Sequence, residues 1–189
     1  MNRMRIARNF ALMIALATFT AIGAQPDAAL AAGARELEQD ARTALNRLYG
    51  SAPAARSLSK RAKGVLVFPS IVKAGLMIGG QFGEGVLFKN GKAVGFYNTA
   101  GASYGLQAGA QKFGYALFFM NDGALGYLGR SDGFEIGVGP SVVVMDEGMA
   151  KQTSTTTLTQ DVYGFIFGQS GLMAGLGLQG NKITKIDKR

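Results

Sequence analysis

A chain of 189 residues with 48% hydrophobic and 17% charged residues fits one globular domain and is too apolar for general disorder. It has no Cys and no His, which removes disulfides, thiolate nucleophiles, the usual zinc ligands and the common neutral-pH general base. The formal charge of +8 favours an anionic partner without choosing among phospholipid headgroups, acidic polymers and nucleic acid. We therefore expect a binding or structural protein that is not an enzyme and needs no cofactor or metal.

The amino-terminal segment has the pattern of a secretory signal peptide. Basic residues precede an apolar run, Phe10 to Ile22, that is too short to span a membrane comfortably, and small residues follow it. We predict a signal peptide at residues 1–31, with the cleavage position left open between 24 and 34, and one domain at 32–189. An uncleaved anchor helix is the alternative. The expected location is the periplasm, either soluble or peripherally membrane-associated, and the lack of Cys excludes a lipoprotein anchor.

Two helices are predicted next. From Arg35 to Leu48 the apolar residues recur at three- and four-residue intervals, which is the period of one helical face. Acidic residues lie near the amino end of this stretch and basic residues near its carboxyl end, an order that suits the helix dipole, and Gly50 is a natural stop. Pro53 then begins a second, shorter helical piece that runs to Ala62.

Basic residues on and after these helices are the candidate binding site. For the cluster at the end of the second helix, an ordinary solvated helix end is as good an interpretation as a patch that binds lipid headgroups. The candidate headgroup contacts are Lys60, Arg61, Lys63 and Lys73, aided by Arg42, Arg47 and Arg56.

From Gly64 onward the apolar period changes to two, which indicates strands. Asn90-Gly91 between two apolar runs predicts a tight hairpin, because both central residues need positive φ. Ala124 to Leu128 is either one helical turn or a short strand, and Thr153 to Thr159 is predicted to be an edge strand or an exposed strand. Roughly ten such runs with hairpin-sized connections predict a mainly β fold with α: an antiparallel, Gly-rich, closed or nearly closed sheet after one or two helices.

One glycine pattern occurs twice. Gly-Leu-Met, one apolar residue and Gly stand at Gly75 to Gly79 and again at Gly171 to Gly175. Apolar side chains two residues apart, with Gly on the other face, suit a strand that bends sharply against neighbouring backbone. We therefore assign Gly75, Gly79, Gly171 and Gly175 to curvature of the sheet and not to a ligand site.

Several segments, taken in order, carry a likeness to a known domain family. They are residues 62–69 (AKGVLVFP), 73–80 (KAGLMIGG), 83–87 (GEGVL), 101–109, 137–140 (GVGP) and 161–180. The ordered set is more specific than any one segment. Over Arg35 to Asp187 the chain resembles the SYLF domain family.

The resemblance implies a lipid-binding module. Eukaryotic members bind phosphoinositides through a basic amphipathic amino-terminal helical region, and some bind actin. With its predicted secretion signal this chain resembles the secreted bacterial branch, for which lipid binding is expected and actin binding is not. The expected partner is an anionic phospholipid or a membrane surface. Nucleic acid is not an expected partner, and the oligomeric state stays open.

A structural role is the alternative, as a cell-envelope scaffold or an outer-membrane β-barrel. Against a spanning barrel, the carboxyl end lacks a terminal aromatic strand, and the predicted strands are short and rich in Gly without clear aromatic girdles.

Overall fold

A helical pair precedes one strongly curled sheet. The computed structural model describes residues 26–130, 133–135, 139–145, 159–171 and 181–188. The helices are α1 (Pro26–Ser51), α2 (Pro53–Ser59) and α3 (Asp122–Tyr127), and the strands are β1 (Gly64–Lys89), β2 (Lys92–Phe119), β3 (Phe134–Glu135), β4 (Val142–Met145), β5 (Val162–Gly171) and β6 (Lys182–Ile186).

Helix α1 starts at Pro26, well before the predicted start at Arg35. Pro is tolerated in the first helical turn and Ala is the strongest helix former, so the Ala-rich stretch after Pro26 extends the helix towards the amino terminus. The predicted end of the signal peptide at residue 31 falls within α1, and residues 1–25 lie outside the described residues. Among the residues that are described, no helix is both long enough and apolar enough to cross a membrane.

The backbone of the sheet is one very long hairpin. Strands β1 and β2 pair antiparallel from Gly64 opposite Phe119 to Lys89 opposite Lys92. The turn is at Asn90 and Gly91, with φ of 50° and 74°, as the sequence predicts. Runs that were predicted as separate short strands are therefore continuous, because β-bulges bend the strands without ending the hydrogen-bonded ladder.

The hairpin folds back on itself near Gly75. A Cβ atom on Gly75 would collide with Cα of Gly79, and one on Gly83 would lie 2.7 Å from Cγ1 of Ile71. A Cβ atom on Gly85 would lie 2.6 Å from both Cδ1 of Phe68 and the backbone oxygen of Val67. The amino-terminal half of β1 therefore packs directly against its carboxyl-terminal half, and these glycines let backbone and ring approach so closely.

The remaining strands extend the hairpin into a six-stranded sheet of the described residues, with the order β3-β6-β2-β5-β4 and β1 paired to β2. The sheet curls into a half-barrel, which confirms the predicted fold class of a mainly β protein with amino-terminal helices. It is mixed and not wholly antiparallel, because β4 and β5 run parallel.

Three sequence predictions bear on the later part of the chain. Residues 124–128, which the sequence leaves undecided, belong to α3 and the turn that follows it, and the Asn121 side chain caps this helix by accepting a 2.8 Å hydrogen bond from the Ala124 N–H. Gly171 ends β5 opposite Gln111. Gly175 and residues 153–158 of the predicted edge strand lie outside the described residues.

Each face of the sheet carries its own core. Helices α1 and α2 cover the outer face through a stripe of small residues and Leu, while α3 closes part of the inner face. Buried outer-face residues include Ala41, Leu48, Leu58, Val67, Phe118 and Phe165. Buried inner-face residues include Phe68, Ile71, Phe113, Tyr115, Leu117 and Phe134.

Candidate functional site

A groove of about 380 Å³ lies between α1, the end of α2 and the turn of the long hairpin. We call it the basic groove. Its walls are Arg42, Leu45, Asn46 and Tyr49 of α1, Ser59, Lys60 and Ala62 at the end of α2, and Gly64, Val65, Phe88, Asn90 and Gly91 of the hairpin. The fold places residues that are about fifty positions apart in sequence on opposite walls of one depression.

Arg42 is held in place on the α1 wall. Its Nη2 and Nε donate hydrogen bonds of 2.7 Å and 3.0 Å to Oε1 of Glu38, one turn earlier on the helix. Its guanidinium also lies over the Phe88 ring, 4.8 Å from the ring centre. The side chain is therefore oriented by two contacts, and part of its charge is already balanced by Glu38.

The wall after α2 presents a short run of cations on a fixed backbone. The N–H groups of Arg61 and Ala62 donate to the Leu58 oxygen at 3.0 Å and 2.9 Å, and the Lys63 N–H donates to the Phe119 oxygen at 2.8 Å. The side chains of Lys60, Arg61 and Lys63 are exposed. The hydrogen bonds anchor the main chain while the long side chains stay in solvent.

Two further lysines flank the hairpin turn, whose residues Asn90 and Gly91 line the groove. Lys89 and Lys92 are exposed and lie directly opposite each other across the ladder. Like charges at directly opposite positions disfavour the pairing, so this arrangement costs stability. Lys89 and Lys92 are not among the predicted headgroup contacts. The Asn90-Gly91 turn between them does indicate from the sequence that the two lysines are paired across a hairpin.

Tyr49 adds a neutral polar group to the α1 wall. Burial raises the pKa of its hydroxyl above the usual value, and a hydrogen bond with Ser59 opposes that shift in part. The hydroxyl therefore stays protonated at physiological pH. It contributes a hydrogen-bonding group and no charge to the groove.

The other basic residues predicted as headgroup contacts lie apart from the basic groove. Arg42 and Arg47 are five positions apart, about 140° around a helix, so they lie on different flanks of α1. Arg47 instead lines a second groove of about 490 Å³ together with Asp40 and Lys112. Arg56 is exposed on α2 and lines neither groove.

Lys73 does not belong to a surface patch, which corrects the prediction made for it. Its side chain is only 3% exposed. Ile71 and Lys73 both point to the inner face of the sheet while Val72 between them points to solvent, as strand alternation requires. An ammonium group at this position cannot reach the headgroups of a membrane.

The described residues do not suggest a metal centre: they contain no group of three or more Asp or Glu side chains placed to hold an ion. No protein-family model matches the chain, and no curated protein matches it either. The resemblance to the SYLF domain family therefore stays a prediction that rests on the order of the motifs alone.

Proposed function

We propose that the protein binds anionic phospholipid headgroups at a membrane surface through the basic groove and its rim. The observation that carries this proposal is the gathering of cations from three separate elements at one end of the molecule. Arg42 of α1 and Lys60 after α2 line the groove, the exposed Arg61 and Lys63 follow Lys60 in sequence, and Lys89 and Lys92 flank the turn residues Asn90 and Gly91 that form the opposite wall.

The chemistry of these side chains suits phosphodiesters. Each Lys near an anionic surface contributes on the order of 1 kcal/mol of binding free energy, so several must act together. Because the charges are exposed, salt screens them, with a Debye length of about 8 Å at physiological ionic strength. The attraction to the membrane should therefore weaken as the salt concentration is raised.

An apolar side chain beside the lysines supports contact with the membrane interface. Val94 is 50% exposed and follows Lys92 by two positions on β2, at the β-bulge between the pairs Leu87–Gly95 and Phe88–Ala93. A cationic rim with an adjacent apolar residue is suited to the headgroup region, where the charges meet phosphates and the apolar group meets the glycerol level.

Co-sedimentation with vesicles tests the proposal. Wild type is expected to bind phosphatidylglycerol vesicles and not phosphatidylcholine vesicles, with binding that falls as NaCl is raised. The double change Lys89→Ala and Lys92→Ala should lower binding by at least about tenfold, which corresponds to about 1.4 kcal/mol. The control double change, Lys182→Ala and Lys185→Ala, removes the same charge from exposed positions of β6. Equal loss in both double variants, or equal binding to both vesicle types, would refute the assignment to the basic groove.

A further inference from the structure

Two strands bulge at the same level of the sheet, one on each side of β2. In β1, residues 69–70 together lie opposite the single residue Gly114. In β5, residues 168–169 together lie opposite Phe113, and Gly168 adopts the left-handed region with φ of 61°. Bulges redirect side chains and are over-represented beside functional sites. Two bulges flanking β2 therefore shape the surface of the sheet at this one place.

The bulge in β1 turns two residues away from the core. Phe68 and Ile71 are three positions apart and would face opposite sides of a regular strand, yet both are buried in the inner core. The extra residue of the bulge makes this possible. Pro69 and Ser70, which lie between them, stay partly exposed and line the second groove. The bulge therefore forms one wall of that groove.

The second groove lies between α1 and the bulged part of the sheet. Its volume of about 490 Å³ is within the range of about 300 to 1,000 Å³ that small-molecule sites occupy. Besides the bulge in β1, its walls are residues of α1 between positions 40 and 51, of β2 at 112–114 and of β5 between 167 and 170. Room for a ligand is therefore present, on a different flank of α1 from the basic groove.

Two cations face this space from different elements. Arg47 of α1 and Lys112 of β2 are exposed, and within the part of the chain that the structure describes neither forms an ion pair. Asp40 lies two helical turns before Arg47 on the same flank of α1, about 10 Å away along the helix axis. Two cations and one carboxylate leave the lining with one net positive charge. That balance suits a singly charged anion better than a dianionic phosphate.

Four hydroxyl groups accompany these charges, those of Thr43, Ser51, Ser70 and Ser170. The Ser51 hydroxyl donates to the Leu48 oxygen and the Ser170 hydroxyl to the Lys112 oxygen, both at 3.4 Å. Each of these two hydroxyl oxygens can still accept a hydrogen bond from a ligand, while Thr43 and Ser70 can donate or accept. The groove therefore matches a ligand that carries several hydroxyl groups as well as a negative charge.

We propose that the second groove binds a carboxylated sugar. The Arg47 guanidinium presents parallel N–H donors that match a carboxylate, and Lys112 supplies a further charged donor. The Asp40 carboxylate and the four hydroxyl groups bind the hydroxyls of the sugar, and Pro69 offers an apolar surface to the C–H groups of its ring. This site is separate from the basic groove and does not depend on the proposed contact with a membrane.

Isothermal titration calorimetry of the full chain at constant ionic strength tests the proposal with chosen probes. Glucuronate carries both a carboxylate and ring hydroxyls, so it should bind with a dissociation constant of about 1 mM or lower. Glucose lacks the charge and acetate lacks the ring, so each should bind at least about tenfold more weakly. Acetate that binds as tightly as glucuronate would reveal a simple anion site, and glucose that does so would remove the role of the cations. Either result would overturn the proposal.

Substitutions at exposed positions decide which residues form the site. Arg47→Gln and Lys112→Gln should each weaken glucuronate binding about tenfold, because each removes a charged donor. Arg56→Gln is the matched control, since Arg56 is an exposed cation of α2 that lines neither groove, and it should leave the affinity unchanged. The double change Thr43→Ala and Ser170→Ala should weaken binding of glucuronate and not of acetate. No binding of glucuronate to wild type, or equal weakening in Arg47→Gln and Arg56→Gln, would refute the assignment.

Discussion

Gly75 and Gly79 lie in direct backbone contact where the long hairpin folds back, so that a Cβ atom on Gly75 would collide with Cα of Gly79. Both residues belong to the Gly-Leu-Met repeat in the sequence. Their contact allows the two halves of β1 to pack face to face, and that packing in turn brings the start of β1 and the hairpin turn to the same end of the molecule.

Replacing Gly75 by Ala should therefore lower the free energy of unfolding by about 3 kcal/mol or more, because backbone atoms must move to relieve the collision. Urea denaturation followed by circular dichroism measures the change. Gly80→Ala is the matched control in the same strand, since its Cβ would meet its nearest atom, the Gly101 oxygen, at 3.9 Å. Equal stability of the two variants would contradict the role of Gly75 in the fold-back.

Neutralising Glu38 should strengthen vesicle binding. Glu38→Gln removes the ion-pair partner of Arg42 and releases its guanidinium for a phosphate, so affinity for phosphatidylglycerol vesicles should rise about twofold to fivefold. The stability cost should stay below about 0.5 kcal/mol, since the pair is an exposed i,i+4 bridge. Glu36→Gln, on an exposed position of the same helix, makes the same charge change away from Arg42 and should have a smaller effect. Identical gains would show that only net charge matters.

Replacing a lysine of the Lys89–Lys92 pair by Glu should raise stability and weaken vesicle binding. Lys92→Glu replaces a like-charge pair by an opposite-charge pair across the ladder, so stability should rise by about 0.2 to 1 kcal/mol while vesicle binding falls. The double variant Lys89→Glu, Lys92→Glu restores like charges, so its stability should return towards wild type while its binding falls further. Urea midpoints for the four combinations give the coupling energy directly. A coupling energy of zero would be inconsistent with this cross-strand contact.

Asp161 should make stability depend on pH in the acid range. The backbone N–H of Ser141 donates to this carboxylate, as do the Asn121 amide and the Ser141 hydroxyl, and together these bonds hold the pKa of Asp161 below its usual 3.8. A depressed folded-state pKa stabilises the protein above the unfolded-state value, and that contribution is lost as the pH falls from near 3.8 through the folded-state pKa.

Asp161→Asn should accordingly flatten the fall in urea midpoint between pH 5 and pH 2. Ser141→Ala keeps the backbone donor and removes only the hydroxyl, so it should flatten the curve less. An unchanged curve in Asp161→Asn would mean that other carboxylates account for the acid sensitivity.

Asn121 also caps α3 by accepting a hydrogen bond from the Ala124 N–H. Asn121→Ala should therefore lower the free energy of unfolding by about 1 kcal/mol even at neutral pH, as measured by urea denaturation.

The sequence predicted the helices, strands and turns that depend on residues close to one another in the chain. The apolar spacing of α1, the change to a period of two at Gly64 and the Asn90-Gly91 turn all appear as predicted, because each depends on residues within a few positions of one another. Several runs that the sequence predicted as separate short strands are segments of β1 or β2. The prediction was wrong there because β-bulges bend these two strands without ending their hydrogen-bonded pairing.

The candidate site was predictable only in part. Arg42 and Lys60 line one groove and Arg61 and Lys63 follow Lys60 in sequence, but Arg47 turns to the other flank of α1 because helical geometry separates positions five apart. Lys73 follows the others in sequence, yet strand alternation points it into the sheet. Lys89 and Lys92 flank the turn residues Asn90 and Gly91, which the fold-back brings close to the end of α2.

The sequence by itself therefore determined the local conformations and the excess of positive charge, since periodicity, turn chemistry and composition depend on neighbouring residues. Only the tertiary structure decided which charges share a groove and which one is buried. Those outcomes depend on the fold of a hairpin whose strands are each more than twenty residues long. A bend at Gly75 and Gly79 sets the positions of residues far from it, and no pattern within either strand specifies that geometry.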